Sequence, residues 1–321
     1  MTPPSDPSSA EERPYDVLVI GELNVDIILR GDVEPRFGQV EKLVDDMTLT
    51  PGSSAAIFAA GACKMGLRVL YVSVVGDDLL GHYMRDALRQ VGVDDRHVAV
   101  DPALKTGATL ILAKDDDRGM LTYLGSIAHV SARHLPPDWA ALARHLHVAS
   151  PFLLTALRPD LPGIMGAAKQ AGMTISLDTN WDPDETWLLD GFFDHLDLFL
   201  PNDAELRAIS GEEDLDAALE RMAARVPTVA VKCGAEGAMG AQGDVRERVA
   251  AYPVVVRSTT GAGDTFDGAF LAGWLRGEPL RRCLELGNAA GALTTTEVGG
   301  FNGQPTWEEA LRFIAAHKDG A

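Results

Sequence analysis

Residues 17–27 read VLVIGELNVDI: four apolar side chains in a row from Val17 to Ile20, then Gly21, then the polar trio Glu22, Asn24 and Asp26. A short apolar run without helical period reads as a strand buried on both faces, and the glycine with its acids and amide reads as the loop at that strand's carboxyl end. Comparable runs recur at residues 69–75, 147–150, 174–178, 196–200 and 228–232. Helical periods fill the gaps at residues 55–65, 81–91, 159–171, 203–210 and 215–224. Strand alternating with helix predicts an α/β fold, a central mostly parallel sheet flanked by helices. Ligands of such sheets bind beyond the carboxyl ends of the strands. The polar residues that follow the strands are therefore the candidates: Glu22, Asn24 and Asp26, Asp77 and Asp78, Asp178 and Asn180, Asn202 and Glu205.

Two stretches, about 27–50 and 98–123, break the alternation with short β-like pieces such as TLILA and the charged turns GDVEPR and KDDDRG. They predict a small accessory β lid. The last third is mostly helical, most clearly at residues 280–294 and 307–317. The organisation expected is a solvated, disordered leader over residues 1–14 and one domain over residues 15–321 carrying the lid.

The composition narrows the function. With 321 residues, 46% of them hydrophobic, the chain can bury a large core. A formal charge of −19 argues against a nucleic-acid partner, whose phosphates call for clustered Lys and Arg. Cys63, Cys233 and Cys283 stand apart, without metal or disulfide spacing, as in a reducing compartment. No apolar run approaches membrane-span length, and the leader MTPPSDPSSAEERP has neither a basic start nor an apolar stretch, so no membrane partner and a cytoplasmic location are expected. A phosphate-bearing ligand would then be held by backbone N–H groups, a few basic side chains and a divalent metal.

Residues 258–270, STTGAGDTFDGAF, fit that description. Gly261, Ala262 and Gly263 can direct N–H groups at one anion just where an Ala/Leu-rich helix begins, and a helix N-terminus adds roughly half a positive charge there. Asp264, in the same turn, is placed to take a proton from an attacking hydroxyl. Taken alone, GAGD is what most such tetrapeptides are, a turn with an acid near the helix cap.

These segments together resemble the ribokinase-like, or PfkB, family of carbohydrate kinases over nearly the whole chain. TTGAGD is similar to the family's second signature, the anion hole with its catalytic base. GELNVDI (21–27) resembles the first-strand motif, which implies that Asp26 binds substrate hydroxyls with Asn24 beside it. PGSSAAIFAAGACKMG (51–66) resembles the first signature and brings Gly52 and Ser53 to the substrate, and residues 74–93 resemble the segment that follows it. LDTNWDPDETW (177–187) looks like the DPN..R...W block, implying a nucleotide-side role for Asn180. PNDAEL (201–206) preserves an N-x-x-E motif in Asn202 and Glu205. VKCGAEGAMG (231–240) is similar to the nucleotide-binding strand and glycine turn, with Lys232, Gly234 and Gly237, and the resemblance places Asn288 near the adenine.

Several of these residues keep a plainer alternative. Glu205 either orients water on Mg2+ or is a first-turn acid favourable to the helix dipole. Lys232 approaches the nucleotide or is a solvated strand-end lysine, and Asn288 could be a polar residue on a helix face. The chain also departs from the family pattern. Ile57 stands where an Asn is usual, Trp181 and Asp182 follow Asn180 where an arginine is expected, and Ser258 replaces the acid that helps hold a monovalent cation. A monovalent cation is accordingly doubtful.

The expectation is an ATP- and Mg2+-dependent phosphotransferase acting on a hydroxymethyl group of a sugar or sugar-like molecule, with Asp264 as base. The alternatives are a nucleoside kinase of the same fold and a catalytically silent sugar-binding regulator. A homodimer through the lid follows from the resemblance alone.

Overall fold

The computed structural model describes residues 13–114 and 117–318. Most of the expected leader lies outside the described residues. Among the described residues the strands form two sheets.

The chain begins with β1 (Tyr15–Ile20), β2 (Asn24–Arg30) and β3 (Asp46–Pro51), followed by α1 (Ser54–Lys64), β4 (Val69–Gly76), α2 (Leu79–Gln90) and β5 (Asp94–Asp101). The hairpin β6 (Gly107–Lys114) and β7 (Asp117–Tyr123) comes next, then a short α3 (Trp139–Leu142), β8 (Ala143–Ala149), α4 (Leu161–Gln170), β9 (Thr174–Asp178) and β10 (Leu198–Phe199). The remainder is α5 (Asp203–Ser210), α6 (Leu215–Ala223), β11 (Thr228–Lys232), β12 (Ala238–Gln242), β13 (Val245–Val249), α7 (Ala262–Leu275), α8 (Leu280–Thr294) and α9 (Trp307–Lys318).

The large sheet has nine strands in the order β13-β12-β11-β10-β9-β8-β1-β4-β5, parallel from β11 to β5 and antiparallel at β12 and β13. From β1 the chain first builds outward through β4 and β5, then returns to the other side of β1 with β8. That reversal opens a crevice at the carboxyl ends of β1 and β8. Alternate side chains of β1 enter opposite layers: Val17 and Val19 join the core with α1 and α7, and Leu18 and Ile20 join the core with α4 and α6. A strand covered on both faces must be apolar throughout, as VLVI is.

The four-stranded sheet, in the order β3-β2-β6-β7, is built from the irregular stretches. Its strands start later and earlier than the sequence suggests. β2 leaves the large sheet already at Asn24, whereas residues 98–101 belong to β5 at the edge of the large sheet. Register gives its two faces opposite characters. Thr50, Asp26, Thr109 and Thr122 form one row across all four strands on the inner face. Ile27, Leu49, Leu110 and Leu121 form the neighbouring row on the outer face, where Met47 is 65% exposed and Tyr123 56%. No helix among the described residues is long and apolar enough to cross a membrane.

Helix starts are fixed by side-chain caps, which satisfy N–H groups the helix itself cannot. Asp78 accepts from Gly81 N–H at 2.8 Å and Asp214 from Ala217 N–H at 2.9 Å. The start of α7 is set instead by packing against α1. A Cβ on Gly268 would lie 2.8 Å from the Ala62 nitrogen and 3.0 Å from the Phe58 carbonyl oxygen. This close approach brings Ser54, the first residue of α1, to the first turn of α7. Overpacking a core contact costs about 1–3 kcal/mol. Gly268→Val should therefore lower the free energy of unfolding measured in urea by that amount, whereas Gly163→Ala, on an exposed helical position with nothing within 4 Å, should raise it by up to about 1 kcal/mol. Equal shifts in the two variants would refute the close-packing account.

Candidate active site

The polar residues expected beyond the strand ends gather in the crevice between the two sheets. Asp264 lies in the first turn of α7, whose cap Gly261 takes φ 77°, a left-handed conformation that glycine adopts freely. Its Oδ1 accepts a hydrogen bond from Ser54 Oγ, and Ser54 Oγ accepts one from Asn180 Nδ2 at 2.8 Å. Asn180 itself takes φ 51°, held by a bond from its N–H to Asp178 Oδ1 at 3.2 Å. Burial and the charge of Asp178 push the Asp264 carboxyl up to about 6, against the pull of Ser54, Lys232 and Arg118. In the turn from Gly261 to Gly263, the Ala262 N–H makes a long 3.3 Å bond to Thr259 O.

Beneath that turn lies a buried ion cluster. Lys232 Nζ, at the end of β11, bonds Asp178 Oδ2 at 2.9 Å and Asp267 Oδ2 at 2.8 Å. A Cβ on Gly263 would meet the Lys232 chain at 3.5 to 3.8 Å, so the cation sits directly under the turn at the start of α7. Burial alone would depress Lys232, but Asp178, Asp267 and Glu205 together raise it above its ordinary value. Burial lifts Asp267 far above the usual carboxylate range, while Lys232 holds Asp178 below it. The two carboxyls thus share one buried cation.

Across the crevice Asp26 is 7% exposed and accepts from Asn24 Nδ2 at 3.1 Å, and Asn24 also reaches Thr109 Oγ1 at 3.3 Å. Burial and the charge of Asp264 push Asp26 up to about 7, with Arg118 and Asn24 opposing. Gly52 backs this pair so closely that a Cβ there would lie 2.2 Å from Asp26 Oδ1. Ser53, at φ 71°, uses its hydroxyl within the fold, donating to Glu22 O at 2.6 Å and accepting from Ala56 N–H at 3.1 Å.

On the other side of the cluster, Asn202 and Glu205 form a reciprocal cap on α5. Glu205 N–H donates to Asn202 Oδ1 at 2.8 Å, and the Glu205 carboxyl accepts from Asn202 N–H at 2.9 Å and Nδ2 at 2.6 Å. Burial and Asp178 push Glu205 up to about 7. Gly234 takes φ 54°, and Gly237 takes φ 99° with a Cβ position only 2.1 Å from Val249 O. Asn288 Nδ2 ties the same region down through Val249 O at 3.0 Å and Ala250 O at 3.2 Å. Among the described residues no three ligating side chains converge as a metal cage, so a divalent cation would be held through phosphate oxygens and water, the manner usual for Mg2+.

The sequence profile of the pfkB family of carbohydrate kinases matches residues 15–307. The chain belongs to that family. It is 27% identical over 306 residues to a ribokinase of Haemophilus influenzae, covering 92% of this chain and 97% of that protein. It is 31% identical over 285 residues to a fructokinase of Klebsiella pneumoniae, with 82% and 92% covered, and 30% identical over 315 residues to an ATP-dependent ribose-1-phosphate kinase of Halopiger xanaduensis, with 94% and 99% covered. An Escherichia coli protein provisionally named ribokinase II, crystallised with ATP and Mg2+, superposes with a TM-score of 0.84 at 25% identity, covering 94% of this chain and 100% of that one. The Arabidopsis thaliana ribokinase complexed with ribose and ATP superposes at 0.82 and 23%, with 94% and 98% covered, which bears on the fold.

The departures from the pfkB pattern have structural counterparts. Ile57, 3% exposed, packs against the anion-hole turn: a Cβ on Gly261 would lie 3.0 Å from its Cγ2, and one on Gly300 would lie 2.5 Å from its Cδ1. Asp182 is a loop centre, accepting from the N–H groups of Asp184, Thr186 and Trp187 and from the Thr186 hydroxyl. Ser258 Oγ accepts from Thr260 N–H at 3.3 Å, and Arg257 pairs with Glu297 at 3.6 Å. Ser54, Asp267, Thr109 and Arg118 belong to the site although sequence reading did not single them out. Asp267 had a usable signal, three residues after Asp264 on one helix face.

Glu22, like Asp26 and Glu205, is pushed up to about 7, in its case by burial against the N–H of Ala55, and Asp264 reaches about 6. Each carboxyl binds its proton more tightly folded than unfolded. Its stabilising contribution is whole below the ordinary values of 3.8 to 4.5 and is lost as pH rises through the folded values. The opposite case, Asp16 held near 2 by Arg68 and Arg144 against its burial, acts at lower pH. The ligand-free protein should therefore melt at a lower temperature at about pH 7.5 than at about pH 5, and Asp26→Asn should flatten that slope. Calorimetry showing stability that rises over this interval would contradict the shifts.

Proposed function

We propose that this pfkB-family protein transfers the terminal phosphoryl group of ATP to a primary hydroxyl of a sugar or sugar-like acceptor. The observation that carries the proposal is the relay Asn180–Ser54–Asp264, which fixes one oxygen of a partly exposed carboxyl at a helix N-terminus. The names of the relatives, among them an ATP-dependent ribose-1-phosphate kinase and a protein crystallised with ATP and Mg2+, support the cosubstrates.

In this mechanism Asp26 and Asn24 hold acceptor hydroxyls and direct the reacting one toward Asp264. The second oxygen of Asp264 takes the hydroxyl proton as the oxygen attacks the terminal phosphorus in line, and ADP leaves. The α7 N-terminus, with Lys232 beneath it, stabilises negative charge on the phosphoryl oxygens. The turn bearing Gly234 and Gly237, with Asn288 bracing the chain after β13, supports the nucleotide. Mg2+, when bound, neutralises phosphate charge, and Glu205 would orient one of its waters. Ile57, at 3% exposed, is consumed in packing and offers no surface to an acceptor.

Asp264→Asn should lower kcat by about 10² to 10⁴ and leave both KM values within a few-fold, because the lost function is proton acceptance. Since the base works deprotonated, kcat/KM of the wild type should fall as pH drops below about 6. Coupled ADP-release assays over sugars, sugar acids and nucleosides test both. A variant retaining more than about a tenth of the wild-type kcat would sink the base assignment.

We also propose that the apolar outer face of the small sheet pairs with that of a second copy, since contiguous apolar patches mark interaction sites. Sedimentation should show a dimer that Leu121→Asp shifts to monomer. A wild type that is monomeric at every concentration would overturn the pairing.

A further inference from the structure

Gln304 lies in the loop that precedes α9 and is only 4% exposed. Its amide sits in the groove between α1 and α7 and bonds both helices at once. Nε2 donates to Ile57 O at 2.8 Å and to Thr265 Oγ1 at 3.0 Å. Gly61 leaves the space for it: a Cβ there would lie 3.3 Å from Gln304 Nε2 and 3.5 Å from Thr265 Cα. Chemistry settles the orientation of the amide, because a backbone carbonyl such as that of Ile57 only accepts, so the atom facing it is the nitrogen. Gln304 Oε1 is left buried with no hydrogen-bond partner among the described residues.

Leaving a buried amide oxygen unpaired is destabilising, and an apolar side chain of the same length would avoid it. Stability therefore gives no account of this glutamine. Its contacts do. Ile57 is one turn after Ser54 in α1, and Thr265 directly follows Asp264 in α7. Gln304 thus joins the two helices within a turn of the hydrogen bond from Ser54 Oγ to Asp264 Oδ1. Its own loop is held in place at both sides. A Cβ on Gly261 would lie 3.1 Å from Gly300 Cα, and Lys64 Nζ, in the last turn of α1, donates to Gln304 O at 3.3 Å.

We propose that Gln304 is a positioning residue that clamps the first turns of α1 and α7 together and so sets the reach from Ser54 to Asp264. The inference rests on the kinase reading above. Buried between the helices, Gln304 touches no substrate and moves no proton. It acts through Ser54, whose hydroxyl occupies one oxygen of Asp264 and leaves the other to the acceptor hydroxyl. Without the clamp α1 can shift along α7, and the carboxyl loses the contact that aims it.

Gln304→Met keeps the length of the side chain and removes both donated bonds. The expected result is a fall in kcat of about 10-fold to 10²-fold, the scale of a misplacement of about 1 Å, with both KM values within about threefold and a melting temperature no lower than wild type. Weakening the Ser54 donor also favours the protonated carboxyl, so the acidic limb of kcat/KM should move to higher pH. The charges that interact with Asp264, those of Asp178, Lys232, Arg118, Glu22, Asp26 and Glu205, are left unchanged, so that limb reports the Ser54 bond. Thr265→Val should repeat these changes, whereas Thr265→Ser, which keeps the hydroxyl, should stay within about threefold of wild type, and this pair decides the matter if Gln304→Met fails to fold. In a Ser54→Ala background, Gln304→Met should cost less than about a further twofold. A lower melting temperature with kcat and the acidic limb unchanged marks a merely structural role and overturns the proposal, as do losses that multiply in the double variant. A wild type that phosphorylates no acceptor overturns the kinase reading instead.

Discussion

The ion cluster of Lys232 with Asp178 and Asp267 ties together the parts of the molecule that must stay in register for anything else to work. Its three side chains come from the carboxyl ends of β11 and β9 and from the second turn of α7. Removing one partner of a buried pair typically costs about 3–5 kcal/mol, because the other charge is left unpaired. The cluster is therefore better understood as a constraint than as a source of stability. It fixes the height of the α7 N-terminus over the sheet, and it puts a positive charge under a turn whose surroundings are otherwise acidic.

The Asp264 carboxyl is oriented by strained backbone. Asn180 and Ser53 hold φ values of 51° and 71° without being glycine, a conformation that costs roughly 1–3 kcal/mol each. The strain is carried by hydrogen bonds on either side: Asp178 steadies Asn180, the Asp182 loop follows it, and Glu22 O receives the Ser53 hydroxyl. The result is that Ser54 reaches Asp264 from one direction and Asn180 reaches Ser54 from another. A carboxyl presented this way needs little rearrangement when a substrate arrives, and preorganisation of that kind is where phosphoryl transfer gains most of its rate.

Much of this was legible in the sequence, and the limit has a physical reason. VLVI, TISLD and TVAVK announce central strands because burial on two faces leaves no room for polar alternation, and GAGD announces a helix start because its glycines permit the turn. What lay hidden was pairing across the fold. Lys232 looks like a strand-end lysine until Asp178, 54 positions earlier, and Asp267, 35 positions later, are brought to it. Ser53 and Ser54 are indistinguishable in sequence, yet one spends its hydroxyl on a cap and the other holds Asp264. The boundary of the small sheet was blurred for a similar reason, since residues 98–101 have the same alternation whether they close the large sheet or open the small one.

The two faces of the small sheet give chain length an unexpected weight. Side chains along a strand alternate with a period of two, so a shift by a single residue exchanges the faces entirely. In β2 such a slip would turn Asp26 outward and bring Ile27 over the crevice, and in β6 it would replace Thr109 by an apolar neighbour. The hairpin between Lys114 and Asp117 sets the phase of β7, and with it whether Arg118 points inward. Surface hairpins ordinarily tolerate insertions and deletions. A change that slipped the pairing of β6 with β7 by one residue would leave a folded sheet with its inner row facing outward, so what must survive any change in length is the register that sets Ala113 opposite Arg118.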